Sequence, residues 1–288
     1  MKSIKVKTPA KINLTLEVMK QRPDGFHELQ SIMQAISLCD FVTINVEPSG
    51  KTEITLSGTS DVIPYNEKNL AYKACDLFLS KIEGNFKIHI HIEKNIPIEA
   101  GLAGGSANAA GVFYGLNNIF NNVFNSEELS ELCAQIGSDV AFCLFGGTQL
   151  ATSRGEVLKR VDTPELKLLL IKPKAFGISA KEAYQKFDKL KDKSKLNATF
   201  NMLMAINNGQ DVTPFLANDL ERAIDKDYPQ IRKLKDYMLK LGCKNALMSG
   251  SGSTVFGLLD QEIDLPEGLN ADCFLAESVG HGVRIANS

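Results

Sequence analysis

The sequence predicts an α+β fold on three observations. Ala10, Ile12, Leu14, Leu16 and Val18 alternate with Lys11, Asn13, Thr15 and Glu17, the period-two pattern of a half-buried strand. At residues 96–110 the run IPIEAGLAGGSANAA passes from a strand-like segment through a glycine-rich loop into an Ala-rich helix. Across the 288 residues, strands and helices are mixed without a regular βαβ repeat, which disfavours a doubly wound parallel sheet.

Further elements follow in chain order. Phe41 to Val46 and Lys51 to Leu56 read as strands joined by Pro48-Ser49-Gly50, and Leu70, Ala74, Leu77 and Phe78 have helical spacing after Asn66. Phe86 to Glu93 reads as a strand with Ile88, Ile90 and Ile92 inward. A helix is expected from about Ser106 and a second helical segment from Ser126, and Gly137-Ser138-Asp139 opens another apolar run. Arg154-Gly155-Glu156 suits a loop, and composition shifts around Asp162-Thr163-Pro164, dividing the chain into units 1–160 and 161–288. The second unit resumes with a strand at Leu166 to Ile171, then helices, then a Gly-Ser turn at 249–253 between apolar segments.

Bulk properties narrow the function classes. The length suits about two domains, and 44% apolar with 23% charged residues is ordinary for a globular protein with a full core. A net charge of −2 gives no electrostatic footprint for nucleic acid or an anionic membrane, so the expected ligand is small. MKSIKVKTPA contains no apolar leader, and no run reaches the roughly 18 apolar residues of a membrane span; cytoplasmic residence is the expectation. Cys39, Cys75, Cys133, Cys143, Cys243 and Cys273 lack C-x-x-C spacing and mostly sit in apolar surroundings, as buried free thiols do, rather than disulfides or zinc ligands. His89 and His91 share a strand face with Glu93 but no third ligand is in view, so a solvated face is expected. The lysine-rich stretch Lys181 to Lys195, interspersed with Glu182, Asp188 and Asp192, reads as a solvated helix or loop.

The 96–110 segment carries chemistry. Gly101, Gly104 and Gly105 let the backbone approach a ligand closely, and the first N–H groups of the following helix are donors at a positive dipole end. A polyphosphate suits such a loop without a lysine. No Gly-Lys-Ser/Thr closes it and it lacks G-x-G-x-x-G spacing, so neither a Walker A loop nor a dinucleotide fingerprint is present. A tight strand-to-helix connection would use the same glycines.

Three segments together carry a family resemblance: PAKINLTLEVMKQRPDGFHELQS at 9–31, IPIEAGLAGGSANAA at 96–110 and MSGSGSTVFGL at 248–258. The set resembles the galactokinase, homoserine kinase, mevalonate kinase and phosphomevalonate kinase superfamily. PAKINL followed by DGFHEL is similar to the branch acting on a cytidine-diphosphate-bearing methylerythritol in the non-mevalonate isoprenoid route, with GSDVAF at 137–142, RGE at 154–156 and NDLE at 218–221 extending the likeness. The resemblance implies a two-domain small-molecule kinase with its active site in the interdomain cleft. It implies transfer of the γ-phosphoryl group of ATP, accompanied by Mg²⁺, to the 2-hydroxyl of the methylerythritol portion, by a monomer or weak homodimer.

The same resemblance implies residue roles, each beside a plainer reading. Lys11 and Asp139 would be catalytic, where pattern alone gives a solvated lysine and a helix cap or first-turn acid. An alcohol is too weakly acidic to ionise at pH 7, so an aspartate as proton acceptor and a lysine steadying the developing charge suit the transfer. ATP would meet Pro97, Gly101, Leu102, Ala103, Gly104, Gly105, Ser106 and Ala107, with Asn69 and Lys94 near the adenosine unless these two are ordinary exposed residues. Ser106 either caps its helix or touches phosphate or Mg²⁺, or does both. Asn13, Phe26, His27 and Tyr184 would bind the cytidyl substrate: Phe26 and Tyr184 by stacking, His27 by reading the cytosine edge. A plain strand amide, a core aromatic and a surface histidine are the bland alternatives for the first three. Ser249, Gly250, Ser251 and Gly252 are a hairpin turn or a loop supporting the first glycine segment.

Three positions depart from the family's usual residues: Ala103 for glycine, where a negative φ is expected; Phe26 for tyrosine; and Asn108 where aspartate is frequent. Two rivals stand beside this reading, another kinase of the superfamily such as homoserine or mevalonate kinase, and a catalytically silent nucleotide or metabolite sensor. DGFHEL speaks against the first, and retention of both Lys11 and Asp139 against the second.

Overall fold

The structure, a computed structural model, describes residues 1–190, 197–261 and 263–286. Two long strands begin it, β1 (Lys2–Gln21) and β2 (His27–Pro48), antiparallel from Lys2 opposite Val46 to Gln21 opposite His27. β3 (Glu53–Gly58), α1 (Leu70–Leu79) and β4 (Phe86–Glu93) follow. β4 lies between β2 and β3, antiparallel to the first and parallel to the second, so the strands flanking Pro48-Ser49-Gly50 both form but are not neighbours. Ile88, Ile90 and Ile92 are fully buried, as their alternation predicts. α1 starts at Leu70 because Asn69, not Asn66, accepts the Ala71 N–H as its cap.

Next come α2 (Gly104–Ile119), α3 (Ser126–Ile136), α4 (Ser138–Phe145) and the hairpin of β5 (Thr148–Thr152) and β6 (Val157–Val161). α2 thus begins two residues before Ser106. The chain continues through β7 (Lys167–Pro173), α5 (Ala180–Asp188), α6 (Ala198–Asn207), the short β8 (Ala217–Asn218), α7 (Asp219–Ile224), α8 (Pro229–Lys240), β9 (Asn245–Met248), β10 (Val255–Leu259), β11 (Ala271–Glu277) and β12 (Arg284–Ile285). One sheet runs β12-β1-β2-β4-β3, with β5 on the early part of β2 and β8 parallel to β1; the second runs β11-β7-β10-β9. Mixed strand directions and helices segregated onto the sheets make this an α+β architecture.

The buried apolar residues form two cores, and the second sheet contributes to both, Leu168, Leu170 and Phe256 to the first and Leu169, Ile171 and Val255 to the second. Ala10, Ile12 and Leu14 join α1 to α4 in one, whereas Leu16 and Val18, further along the same strand, join α5, α7 and α8 in the other. β1 therefore threads both cores and carries its middle across the space between them. Fully burying a side chain such as Phe78, Phe113 or Phe142 is worth about 1.5–3 kcal/mol, and all three lie in the first core. α2 reaches the sheet closely: a Cβ on Gly111 would lie 2.5 Å from Thr8 Cγ2, and one on Gly115 2.5 Å from Ile44 Cδ1.

The polar face of β1 departs from expectation. Lys11, Asn13, Thr15 and Glu17 are buried too, because each finds a protein partner where a half-buried strand would face water. Thr15 Oγ1 bonds Thr199 Oγ1 at 3.0 Å, and the Glu17 carboxylate accepts the Ala198 and Thr199 N–H groups at the start of α6. His89 and His91 are likewise half-buried rather than solvated, both bonded to the Ser57 hydroxyl at 2.9 and 2.8 Å. Five of the six cysteines are buried and Cys273 is half-buried; burial pushes the Cys133 thiol up to about 12, which leaves it protonated and inert. The lysine-rich stretch supplies α5 at Ala180–Asp188, and its 191–195 portion lies outside the described residues. No helix among the described residues is long and apolar enough to cross a membrane.

Candidate active site

The glycine loop turns on three left-handed residues, Glu99, Gly101 and Ala103, with φ of 51°, 73° and 57°. Ala103 therefore does not take the negative φ expected of it. The left-handed turn at each alternate residue folds the strand end back on α2, and holding alanine there costs about 1–3 kcal/mol, a strain met at ligand clamps. Ala103 is the N-cap of α2 and offers no side-chain acceptor, so Ser106 is not the cap but the third residue of the helix. The leading N–H groups of a 16-residue helix are left without a capping side chain, which is an anion site in geometry and in dipole.

The 249–254 segment backs this loop. Ser249 Oγ donates to Gly101 O at 3.0 Å and Thr254 N to Ala100 O at 3.3 Å. Contact is so close that a Cβ on Gly101 would lie 2.0 Å from Ser249 O. NDLE at 218–221 fastens the segment in turn: Asn218 Nδ2 donates to Met248 O and Gly250 O, both at 2.8 Å, and Glu221 accepts the Met248 N–H at 2.7 Å. Asp219 reaches the other way and accepts the Val18 N–H of β1 at 2.9 Å.

Lys11 stands where β1 passes the loop. Its own N–H donates to Leu102 O at 3.1 Å, and its Nζ donates to Asn13 Oδ1 at 2.7 Å. Asn13 Nδ2 donates to Ser31 Oγ, and Ser31 to Thr15 O, so both ends of the Asn13 amide are engaged and its carbonyl is aimed at the ammonium. Asp139 Oδ2 lies 3.8 Å from Lys11 Nζ, with the lysine side chain 6% exposed and the aspartate 36%. The aspartate occupies the first turn of α4, whose dipole favours a negative charge.

Two cavities meet at the loop. The larger, about 740 Å³, is lined by Lys11, Asn13, Phe26, His27, Asp139 and Tyr184, and Gly250 and Ser251 close one side. The smaller, about 370 Å³, is lined by Asn69, Lys94, Pro97, Leu102, Gly104 and Gly105. Gly101, Ala103 and Ser106 line both. Every expected catalytic and substrate residue thus falls in one space and nearly every expected nucleotide residue in the other. Ala107 is the exception, fully buried in α2, while Ser249 and Gly252 support the loop without lining either cavity. Asn69 and Lys94 are at the smaller cavity but each already has a protein task, Asn69 capping α1 and Lys94 paired with Asp40.

At the far end of the larger cavity, His27 Nε2 lies 2.8 Å from Asp188 Oδ1, and its ring stacks on Tyr184 with centroids 5.1 Å apart and planes 17° off parallel. Burial pushes the Tyr184 phenol up to about 12, with Asp139 adding to the effect. Phe26 is 55% exposed. The Arg154 guanidinium sits over its ring at 4.8 Å and is also paired with Glu156 at 3.6 Å. Phe26 and Tyr184 therefore do not face each other bare; each already has a planar companion. Sequence reasoning singled out neither Arg154 nor Asp188 as a site residue. RGE was a visible signal for the first, whereas Asp188 was absorbed into a charged helix and shows its role only once α5 packs on the His27 turn.

The uncapped start of α2 thus lies where two cavities share the glycine loop, so a phosphate-bearing ligand in one can stand beside a second ligand in the other. Residues 69–147 match the family described as GHMP kinases N terminal domain and residues 194–271 that described as GHMP kinases C terminal, which makes the chain an ATP-dependent phosphotransferase of that class. It is 44% identical over 256 residues to the 4-diphosphocytidyl-2-C-methyl-D-erythritol kinase of Desulfitobacterium hafniense (strain Y51), covering 88% of this chain and 86% of that one. To the protein of the same name from Brevibacillus brevis (strain 47) it is 38% identical, covering 96% and 97%. A crystal structure of 4-(cytidine 5'-diphospho)-2C-methyl-D-erythritol kinase superposes with a TM-score of 0.75 at 29% identity, over 96% of this chain and 100% of that one. Homoserine kinase from Cytophaga hutchinsonii, 20% identical with a TM-score of 0.77 over 99% and 98% of the two chains, shares the fold. The chain belongs to the 4-diphosphocytidyl-2-C-methyl-D-erythritol kinase family.

Proposed function

We propose that the protein transfers the γ-phosphoryl group of ATP to the 2-hydroxyl of 4-diphosphocytidyl-2-C-methyl-D-erythritol, with ATP in the smaller cavity and the cytidyl alcohol in the larger. The observation that carries this reading is the meeting of the two cavities at Gly101, Ala103 and Ser106, with Lys11 and Asp139 on the acceptor side. Phosphate charge is received by the free N–H groups of α2. The acceptor hydroxyl, brought to the junction, gives its proton to Asp139 as its oxygen bonds to phosphorus, and Lys11 balances the charge that develops on the transferring oxygens. Asn13 keeps the ammonium in place while bordering the acceptor. Mg²⁺ fits the same junction: the Ser106 hydroxyl is a hard oxygen donor bordering both cavities, and this ion is ordinarily held by one or two protein oxygens together with phosphates and water. Bound there, it would neutralise charge across the β- and γ-phosphates. We take the reaction to run in the cytoplasm on a monomer or weak homodimer, with the division between units near residue 160.

The cytidine end is read by Phe26, His27 and Tyr184. A carboxylate at His27 Nε2 favours the proton on that nitrogen, which leaves Nδ1 as an acceptor in the neutral ring. An acceptor suits the exocyclic amine of cytosine and opposes the carbonyl of uracil. Two results are expected: kcat/KM falls at least about tenfold when the uridyl alcohol replaces the cytidyl one, and Phe26→Ala costs on the order of 1–3 kcal/mol with the cytidyl substrate. Equal rates on both alcohols together with indifference to Phe26→Ala would remove the base from the recognition and promote the rival superfamily kinases.

A further inference from the structure

Asp40 is fully buried near the middle of β2, and its carboxylate accepts four hydrogen bonds. The N–H groups of Asn95 and Ile96 reach Oδ1 at 2.7 Å each; Lys94 Nζ reaches Oδ2 at 2.7 Å and Asn108 Nδ2 at 2.8 Å. These donors belong to two pieces of chain that border the smaller cavity, the segment after β4 and helix α2. Lys94 spends a second N–H on Ile96 O at 2.5 Å. Its Nζ would lie 2.7 Å from a Cβ on Gly104, so the ammonium stands directly against the first residue of α2. A side chain at that position would push the ammonium from its present place.

A lysine head in this position runs against its preference for water. Burial pulls the Lys94 pKa down and the Asp40 carboxylate opposes that pull. A buried ion pair is poor evidence of stability in itself, because apolar residues of similar volume usually do as well. Its placement at an uncapped helix start that lines a cavity is what asks for another explanation. We propose that Asp40 is a positioning residue for the nucleotide: it acts through Lys94, keeping that charge and its remaining N–H at the start of α2. Lys94, expected from the resemblance near the adenosine, is thereby assigned instead to the phosphate end, where it adds one fixed positive charge to the helix-end donors. The inference rests on the assignment of ATP to the smaller cavity.

The test uses the full chain and ADP with Mg²⁺ as the probe, titrated by calorimetry in the parent, D40N, K94A and the double variant D40N/K94A. Each single variant is expected to bind ADP about tenfold more weakly, the loss of one charge-assisted hydrogen bond. The double variant is expected to bind no more weakly than K94A, since Asp40 acts through the lysine. In D40N the KM for ATP is expected to rise while the KM for the alcohol changes less than about twofold, a split that general loosening of the fold would not give. Parent-like ADP affinity in D40N, or losses that multiply in the double variant, would overturn the proposal. Should D40N not fold, K94A against the double variant carries the same test: equal affinities support the proposal and a further tenfold loss overturns it. A parent chain that fails to bind ADP would overturn the nucleotide assignment and the inference with it, whereas a parent that binds ADP beside an equally competent D40N overturns the inference alone.

Discussion

Replacing Asp139 by asparagine is expected to lower kcat by at least about 10²-fold while ADP affinity stays within about threefold. The two halves of that expectation have separate origins. Asp139 lines the larger cavity and not the smaller, so the nucleotide contacts are left in place. Asparagine keeps the shape of the side chain, its position in the first turn of α4 and its distance from Lys11, but it has no basic oxygen to take the hydroxyl proton. Removing a positioned base ordinarily costs about 10²–10⁴ in rate. The loss is expected in kcat and in kcat/KM alike, the pattern of an interaction made in the transition state. A variant with near-parental kcat would take Asp139 out of the chemistry.

A larger structural effect is expected at Gly101→Ala. The residue has φ of 73°, and the added Cβ would lie 2.0 Å from Ser249 O and 3.0 Å from Ser249 C. Neither atom belongs to a side chain that could swing away; the obstacle is the backbone of the segment that Asn218 and Glu221 fasten. A left-handed alanine and a forced backbone separation together cost roughly 2–5 kcal/mol. The variant should therefore melt roughly 5–15 °C below the parent and bind ADP at least about tenfold more weakly, because the donors of the loop and of α2 move apart. Unchanged Tm and unchanged ADP affinity would show that the two glycine segments are not held together as described. For Tm alone, Gly105→Ala is the natural control, since among protein atoms its Cβ would meet only Leu70 Cδ1 at 3.6 Å.

What could be read from the chain beforehand depended on how local the signal was. Ile88, Ile90 and Ile92 announce a buried strand by alternation alone, and the glycines at 101, 104 and 105 announce a loop that something approaches. The polar face of β1 was misread because burial of Lys11, Asn13, Thr15 and Glu17 is decided by partners far along the chain, Ser31 and Thr199 among them, that no window around residue 10 contains. Ala103 was misjudged for a related reason. Alanine's own preference is for negative φ, and the fold overrides it where the strand end must meet both α2 and the 249–254 segment. Asp40 carries no local mark at all: in FVTINV and its flank it is one acid at the middle of an apolar strand, and its meaning comes from Lys94 and Asn108. Asp188 and Arg154 show the intermediate case, a residue seen and a motif quoted, with their partners His27 and Phe26 supplied only by packing.

The account stands on one claim, that the larger cavity accepts an alcohol through its cytidine diphosphate half and that the remote contacts at Phe26, His27 and Tyr184 align the hydroxyl beside Asp139. Binding energy from the non-reacting half of a substrate is then used to orient the reacting half, so removing the nucleotide should damage kcat as well as KM. The direct measurement is kcat/KM of the parent protein with ATP and Mg²⁺ for 4-diphosphocytidyl-2-C-methyl-D-erythritol beside free methylerythritol, homoserine and mevalonate. The account predicts turnover of the cytidyl alcohol to its 2-phosphate and ADP, with the three cytidine-free alcohols slower by at least about 10³-fold. Comparable kcat/KM on any cytidine-free alcohol would contradict it.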